Sequence, residues 1–268
     1  MNTKFTVLIP VYEGESPLFF NECLESIRNQ EVLPDEIIVS IDRKITSEFQ
    51  DVIEKFRHYL NINTVTYDGQ DQLGGSLNLG VRTARNEIIM RMDADDLCFK
   101  NRFKYSLQHF VQNDLDLMGA WTKEFINLPG DLNKYRKTPK YIKKHTGFWR
   151  NPFNHPTTIF KKSKVILAGN YESLIGFEDW DLWLRMKSLN MRLENIEKPL
   201  VHQRIGNGFI DRRSGKKYLD QKIKAIKKWK NKKLIPHYVF YISFFAVNIL
   251  RIMPKSLIEM LYKYFLRS

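Results

Sequence analysis

The chain has 268 residues, 43 of them Lys or Arg and 30 Asp or Glu, which gives a formal net charge of +13 at pH 7. Residues 201–268 contain 16 basic and three acidic side chains, so they carry the whole excess, and the first 200 residues are balanced. A nucleic-acid-binding domain is normally basic over an entire face, so this distribution argues against nucleic acid as a partner and favours a neutral, enzyme-like body with a basic tail.

The two cysteines, Cys23 and Cys98, lie far apart in the sequence, and no secretory signal peptide is evident. We therefore expect no disulfide and a reducing, cytoplasmic compartment. The length suits one large domain, or one domain with an appendage.

The first elements alternate between strand and helix. Residues 4–10 predict a first strand, and its consecutive apolar residues 7–9 are typical of a strand that is buried on both faces in a parallel sheet. Ser16 can cap the helix that follows, and Pro17 suits its first position. Residues 36–41 then predict a second strand, which ends at Asp42.

The alternation continues to a fourth strand. Ser47 and Gln50 form a capping-box pattern at the start of a second helix, and residues 64–67 predict the third strand. A polar, glycine-containing loop at residues 68–75 and a short helix at residues 76–84 follow. Four strands alternating with three helices predict an α/β, doubly wound parallel sheet, whose ligands bind at the carboxyl ends of the strands.

The fourth strand, at residues 87–92, ends in Asp93, Asp95 and Asp96. Three carboxylates in four residues repel one another and resist burial, so they need water, a cation or hydrogen-bond donors. Oxygen ligands of this kind favour Mg²⁺ or Mn²⁺, which also bind substrate phosphates. An EF-hand calcium loop is a poor match, because Cys98 stands where glycine is needed. The simpler alternative is that the acids end the strand and cap the next helix.

A second acidic cluster, Glu178, Asp179 and Asp181, opens a helix whose apolar face includes Trp180 and Trp183. Acidic side chains in a first helical turn complement the helix dipole, which is the simplest explanation of the cluster. A carboxylate within hydrogen-bond reach of a substrate hydroxyl can instead act as a general base. Asp181 suits a surface or structural role.

The tail divides into two predicted helices. Residues 216–233 carry lysines interspersed with apolar and aromatic side chains, and residues 238–253 are nearly apolar. The apolar run is shorter than the ~18 residues that a membrane span requires. We expect an in-plane attachment to an anionic membrane surface, with lysines near the lipid headgroups and aromatics at the interface. The alternative is that both helices pack on the body or on a second subunit.

Five short motifs occur along the chain in a fixed order. They are Val-Leu-Ile-Pro-Val-Tyr (7–12), Glu-Ile-Ile-Val-Ser-Ile-Asp (36–42), Gly-Gly-Ser-Leu-Asn-Leu-Gly (74–80), Met-Asp-Ala-Asp-Asp (92–96) and Gly-Phe-Glu-Asp-Trp-Asp-Leu-Trp-Leu-Arg (176–185). Together they resemble family 2 glycosyltransferases. Arg204-Ile205-Gly206 and Arg212-Arg213-Ser214-Gly215 are similar to a later motif of bacterial O-antigen, capsule and amylovoran-type transferases.

The resemblance implies a single nucleotide-sugar-binding domain of the glycosyltransferase A type at residues 1–215, followed by a basic, amphipathic helical tail at residues 216–268. It also implies the residues that bind the nucleotide-sugar donor: Pro10, Tyr12, Glu13, Asp42, Asp71, Asn78, Asp93, Arg204, Arg212 and Arg213. Among these, Asp42 matches the acid that contacts the uracil base. The three arginines are expected to neutralise the diphosphate from a flexible loop, because a guanidinium is a permanently charged, bidentate donor, and the alternative is that one or two of them face solvent.

The remaining roles follow from the same resemblance. Asp95 and Asp93 match the metal motif for Mn²⁺ or Mg²⁺, and His202 is either a third metal ligand or a packing residue. Asp179 matches the catalytic base, and Glu178 is expected to orient the sugar acceptor. His155 either lines the acceptor site or is structural. Residues 122–150 are expected to form a loop that faces the acceptor.

The implied reaction is inverting transfer, without a covalent intermediate, of a hexose from a UDP-sugar to a lipid-diphosphate-linked sugar in bacterial O-antigen or surface polysaccharide synthesis. Galactose or glucose is the preferred hexose. We expect a peripheral protein at the cytoplasmic face of the inner membrane. Two alternatives are a membrane-bound nucleotide-sugar sensor or scaffold without turnover, and an aspartate-nucleophile phosphatase. The phosphatase would need its nucleophile after the first strand, whereas the acid triplet follows the fourth.

Overall fold

The computed structural model describes residues 3–70, 72–142, 150–206, 215–254 and 257. Its strands are β1 (Phe5–Tyr12), β2 (Glu36–Asp42), β3 (Ile62–Tyr67), β4 (Ile88–Arg91), β5 (Leu97–Cys98), β6 (Leu117–Phe125), β7 (Lys134–Arg136), β8 (Ile159–Lys161) and β9 (Leu193–Arg204). Its helices are α1 (Pro17–Arg28), α2 (Ser47–Arg57), α3 (Gln72–Thr83), α4 (Arg102–Gln112), α5 (Lys162–Leu167), α6 (Glu178–Ser188), α7 (Lys216–Asn231) and α8 (His237–Ile252), with a short 3₁₀ helix at His155–Thr157.

The amino-terminal half of the sheet is parallel. Strands β3, β2, β1 and β4 lie side by side in that order, and each neighbouring pair is parallel. Helices α1, α2 and α4 cover one face and α3, α5 and α6 the other, which is why β1 and β2 are apolar on both faces. The predicted doubly wound α/β architecture is confirmed.

The second half of the sheet is mixed. Strand β8 is antiparallel to β4 and to β6, β6 is parallel to β9, and β5 is antiparallel to β9. The segment at residues 122–150, predicted as a loop, is partly strand, because β6 extends to Phe125 and β7 forms at Lys134–Arg136. Leu97 of β5 pairs with His202 of β9. The acid triplet therefore lies between two strands of the sheet, β4 and β5, that are not paired with each other.

Two predicted helix starts have different outcomes. Ser16 caps α1 as predicted, and its Oγ accepts a hydrogen bond from the backbone N–H of Phe19 at 3.5 Å. Helix α2 begins at Ser47 itself, after Thr46, and no side-chain hydrogen bond caps it. The predicted capping box is wrong, because Ser47 already lies inside the helix.

Helix α3 begins at Gln72, four residues before the predicted start, so the second half of the predicted loop, with Gly74 and Gly75, is helical. A Cβ at Gly80 would collide with Leu8, and one at Gly75 would collide with the ring of Tyr67. The two glycines therefore let α3 pack closely against β1 and β3. The sequence suggests a turn here because glycine is common both in turns and in close helix–sheet contacts.

Helices α7 and α8 pack on the body through an apolar cluster. It joins side chains before and within α6 to side chains of both later helices, among them Phe177, Trp180, Leu184, Leu219, Trp229 and Val239. Trp229 Nε1 donates to Asp181 Oδ1 at 2.9 Å, and Asp181 is fully buried, so this acid is structural. In the described parts of the chain, no helix has the length and apolarity needed to cross a bilayer.

Candidate active site

A cleft of about 670 Å³ opens at the carboxyl ends of the parallel strands, where ligands bind in open α/β sheets. Its volume is within the range usual for ligand sites. Its wall includes Pro10, Tyr12, Asp42, Ser76, Arg91, Asp93, Asp95, Asp96, Glu178, Gln203 and Arg204. Seven of the residues predicted for donor, metal or catalysis thus share one cavity: Pro10, Tyr12, Asp42, Asp93, Asp95, Glu178 and Arg204.

The ends of β1 and β2 bring Tyr12 and Asp42 together, since the two residues are directly paired in the sheet. Asp42 Oδ1 is buried and accepts no hydrogen bond within the described residues. An N–H group of a ligand base would satisfy this oxygen. Glu13, one residue beyond β1, is not in the wall of the cleft, and its carboxylate lies 3.0 Å from Lys44 Nζ.

Carboxylate oxygens of Asp93, Asp95 and Asp96 lie within 4.8 Å of one another. Burial raises the pKa of Asp95, with further repulsion from Asp93, and burial followed by repulsion from Asp95 and Asp93 raises that of Asp96. Asp96 Oδ2 is buried without a hydrogen-bond partner in the described structure. A hard divalent cation would relieve the repulsion and bind the free oxygen, so these residues fit Mn²⁺ or Mg²⁺.

Arg204, at the end of β9, holds the acid segment in place. Its backbone N–H donates to Asp96 Oδ1 at 2.8 Å, and its Nε donates to the backbone oxygen of Asp95 at 3.0 Å. Its guanidinium also pairs with Glu22 and lies over the rings of Phe19 and Phe125. All three side-chain nitrogens of Arg204 thus bond to protein groups, which lets the residue hold the acids in place, and its role as a diphosphate ligand stays a prediction.

Glu178 is the first residue of α6 and lines the cleft. Burial is the main cause that raises the pKa of Glu178 to about 7, and the neighbouring charge of Asp179 adds to the rise. A carboxyl group with such a pKa exchanges a proton near neutral pH.

Asp179 lies beside the cleft in a small polar group and is not part of its wall. Its Oδ2 accepts a hydrogen bond from Asn151 Nδ2 at 2.6 Å and lies 4.0 Å from His155 Nδ1. His155 Nε2 is 3.0 Å from the Tyr171 hydroxyl. Burial raises the pKa of Asp179, and burial followed by the charge of Arg91 lowers the pKa of His155 well below its usual value. A neutral imidazole therefore adjoins a carboxylate of increased basicity.

Two further predicted residues have structural contacts. The Asn78 amide donates to the Tyr171 backbone oxygen at 2.6 Å and accepts from the Tyr171 N–H at 2.8 Å, so it fixes the segment before α6. The His202 ring stacks on Phe99 with centroids 3.9 Å apart, and burial lowers its pKa to about 4. Within the described residues, the carboxylate cluster does not include His202, which favours the packing alternative.

The predicted donor ligands Asp71, Arg212 and Arg213 lie outside the described residues. Four residues of the site were not predicted from the sequence: Arg91, Asn151, Tyr171 and Gln203. Arg91 had a usable signal, because a charged side chain in an otherwise buried apolar strand needs an explanation. Asn151 and Tyr171 had none, since their importance depends on contacts with Asp179 and His155 from other parts of the chain.

Comparison with known proteins agrees with this geometry. Residues 6–167 match the sequence profile of glycosyl transferase family 2. The chain is 35% identical over 271 residues to an Escherichia coli UDP-Gal:alpha-D-GlcNAc-diphosphoundecaprenol beta-1,3-galactosyltransferase, covering 98% of this chain and 97% of that protein. It is 28% identical over 260 residues to the amylovoran biosynthesis glycosyltransferase AmsE of Erwinia amylovora, covering 97% and 98% of the two chains.

The fold also has a solved counterpart. The mannosyltransferase PcManGT from Pyrobaculum calidifontis, in complex with GDP-Man and Mn²⁺, superposes with a TM-score of 0.69 at 14% identity, covering 98% of this chain and 75% of that one. The chain therefore has the glycosyltransferase A fold. Its sequence belongs to glycosyl transferase family 2, and the expected resemblance to O-antigen and amylovoran transferases is confirmed.

Proposed function

We propose that this protein is an inverting hexosyltransferase that uses a UDP-sugar donor and a lipid-diphosphate-linked sugar acceptor in bacterial surface polysaccharide synthesis. Galactose is the preferred hexose and glucose the second, because the 35%-identical relative is named for UDP-Gal and a diphosphoundecaprenol-linked GlcNAc. One observation supports the proposal most. A single cleft is lined by the free Asp42 oxygen, the carboxylate cluster and Glu178, with Asp179 one residue further on.

The residues suggest a division of labour along the cleft. Asp42 accepts a hydrogen bond from the uracil base, and Pro10 and Tyr12 contact the nucleoside. Asp93, Asp95 and Asp96 would hold the divalent cation, and positive charge for the departing diphosphate is supplied when that cation is bound. Arg204 keeps the three acids in place through its bonds to Asp95 and Asp96.

The transfer itself needs a base on the acceptor side. Asp179 takes the proton of the attacking hydroxyl, the acceptor oxygen bonds to the anomeric carbon, and the bond from that carbon to the UDP oxygen breaks. Burial makes Asp179 more basic than an exposed aspartate, and Asn151 orients its carboxylate through a 2.6 Å hydrogen bond. Glu178 orients the sugar at the junction of donor and acceptor.

The purified protein tests the proposal with Mn²⁺, a panel of UDP-sugars and a synthetic GlcNAc-diphosphate-lipid. Released UDP, the acceptor mass and the anomeric configuration of the product are followed. We expect one donor to add one hexose with inverted configuration, and a chelator to abolish transfer. Metal-dependent UDP binding without turnover of any donor on this or on neighbouring lipid-linked acceptors would contradict the proposal and favour a sensor.

We further infer a peripheral location at the cytoplasmic face of the inner membrane, because a lipid-linked acceptor resides in a bilayer. The exposed side of α8 supports this inference. Its large apolar side chains recur at helical spacing and are at least 47% exposed: Tyr238, Tyr241, Ile242, Phe245, Ile249 and Ile252. Lys230 of α7 lies 5.3 Å from the Tyr241 ring centroid, so positive charge adjoins this apolar stripe, as anionic lipid requires. The division into residues 1–215 and 216–268 stays a prediction.

A further inference from the structure

Arg91, the last residue of β4, lies in the wall of the cleft and is only 3% exposed. One guanidinium nitrogen, Nη2, pairs with Asp93 Oδ1. Its Nε and Nη1 have no hydrogen-bond partner in the described parts of the chain. Leaving a buried donor unpaired costs about 1–3 kcal/mol, and more when the group is charged, so these nitrogens need an acceptor other than the described residues, and a ligand in the cleft can supply one.

A second buried arginine shows how this fold satisfies a structural guanidinium. Arg102 is 1% exposed, and its Nη2 donates to the backbone oxygens of Arg91 and Pro156, each at 2.6 Å. It joins the end of β4 to the short 3₁₀ helix. Within the described residues, the Nε and Nη1 atoms of Arg91 have no such carbonyl partners. The difference favours a ligand-binding role for Arg91.

Arg91 interacts with both chemical groups of the site. It pairs with Asp93 of the carboxylate cluster. Its charge also shifts the pKa values of His155, Tyr171 and Asp179 downward. If the diphosphate binds at the carboxylates and Asp179 is the base, the transferred sugar occupies the space between them.

We propose that Arg91 binds a ring hydroxyl of the transferred hexose and thereby contributes to the choice of donor sugar. This inference rests on the proposed function. A guanidinium donates and never accepts, so its partner must be an oxygen, and sugar hydroxyls offer lone pairs. The diphosphate is a weaker candidate, because the nitrogen nearest the carboxylate cluster is already paired with Asp93. A site that hydrogen-bonds a hydroxyl strongly rejects the analogue that lacks it.

The test compares UDP with the UDP-hexose identified by the donor panel, and with donors that each lack one ring hydroxyl. Binding is measured by calorimetry and transfer by released UDP. For the wild type, we expect one deoxy donor to lose about 10- to 100-fold in kcat/KM, the range for a hydrogen bond to a charged group. If every deoxy donor reacts as well as the parent, the inference is wrong, whatever the variants do.

Variants then assign the contact to Arg91. In Arg91→Met, the affinity for UDP should stay within about threefold of the wild type. The kcat/KM for the parent donor should fall by about 10- to 100-fold, and the kcat/KM for the critical deoxy donor should not fall below its wild-type value. Arg91→Lys keeps the charge beside Asp93 and serves where the methionine variant unfolds, with the same pattern expected. Arg82→Met, at an exposed position of α3, is the control and should change neither affinity nor transfer.

Two results would overturn the inference. An equal loss of UDP and UDP-hexose affinity in the variant would make Arg91 a diphosphate ligand. Additive effects of the variant and the deoxy donor on kcat/KM would show that Arg91 does not bind that hydroxyl. Failure of the proposed function is distinguishable, because it appears in the wild type as absence of UDP binding or of turnover. Calorimetry on a protein that binds but does not turn over still separates sugar from diphosphate.

Discussion

Three carboxyl groups of the cleft, those of Asp95, Asp96 and Glu178, have pKa values above their usual range, and burial is the first cause in each. A protein that only needed stability would pair such groups or expose them. The described structure instead leaves Asp96 Oδ2 and Asp42 Oδ1 without hydrogen-bond partners. At the residue scale, the site is therefore less stable than an apolar cleft of the same shape, and ligands complete its hydrogen bonds.

Glu178→Gln tests this destabilisation. The folded-state pKa of Glu178 is raised from 4.5 to about 7, so the folded protein holds the proton more tightly, and stability falls as pH rises from about 4.5 to 7. The variant lacks this loss. We expect it to exceed the wild type by up to about 3 kcal/mol in free energy of unfolding at pH 8, and to match it below pH 4.5.

Urea denaturation of both proteins across this pH range, in the presence of a chelator, measures the difference. Glu197→Gln, at an exposed position, is the control and should show no pH-dependent gain. The same advantage at pH 4 and pH 8 would show that the Glu178 carboxyl does not titrate differently in the folded state.

At the scale of elements, the periodic part of the chain was predictable and the irregular part was not. Helix α1 has four buried apolar positions, Phe20, Cys23, Leu24 and Ile27, which follow the helical repeat and can be read from the sequence. The start of α3 was not predictable, because Gly75 is needed to avoid the ring of Tyr67, and that contact is visible only in the folded structure. Strand β5 is only two residues long and exists because β9 pairs with it.

The same contrast holds within the site. Asp42, Asp93 and Asp95 end predicted strands, so their convergence followed from the doubly wound topology. Neither the stacking of His202 on Phe99 nor the use of Asn78 to hold Tyr171 follows from spacing along the chain. Such roles depend on tertiary neighbours.

Helix α8 carries the prediction at this scale. Its buried face, including Val239 and Val247, packs in the carboxyl-terminal cluster, and its opposite face is the exposed apolar stripe. We expect the protein to float with vesicles containing phosphatidylglycerol, more weakly with neutral vesicles, and less at high salt. The double variant Ile242→Glu, Phe245→Glu should stay unbound and folded, because both residues are exposed.

Leu167→Glu, at an exposed leucine of α5, is the matched control and should bind vesicles normally. Flotation of the double variant at the wild-type level would contradict the membrane assignment. Loss of a dimer in the double variant, without any vesicle binding by the wild type, would assign the stripe to a second copy of the chain.

For the whole molecule, the architecture joins a donor site on the parallel half of the sheet to α6 from the later half of the chain. Strands β1, β2 and β4 supply Tyr12, Asp42 and the acid triplet, and α6 supplies Glu178 and Asp179. Helices α7 and α8 pack against α6, so the exposed apolar stripe of α8 is connected to the helix that carries the proposed base. A lipid-linked acceptor would thus approach near the site of proton removal.

The most direct test of this account is hexose transfer by Asp179→Asn, compared with its binding of UDP. The amide keeps the size of the side chain but cannot take a proton, so we expect transfer to fall by about 10²- to 10⁴-fold. The affinity for UDP with Mn²⁺ should stay within about threefold of the wild type, because Asp179 is not in the cleft wall. Asp51→Asn, at an exposed position of α2, is the control and should be fully active. Transfer at the wild-type rate by Asp179→Asn would contradict the assignment of Asp179 as the base and with it the central claim.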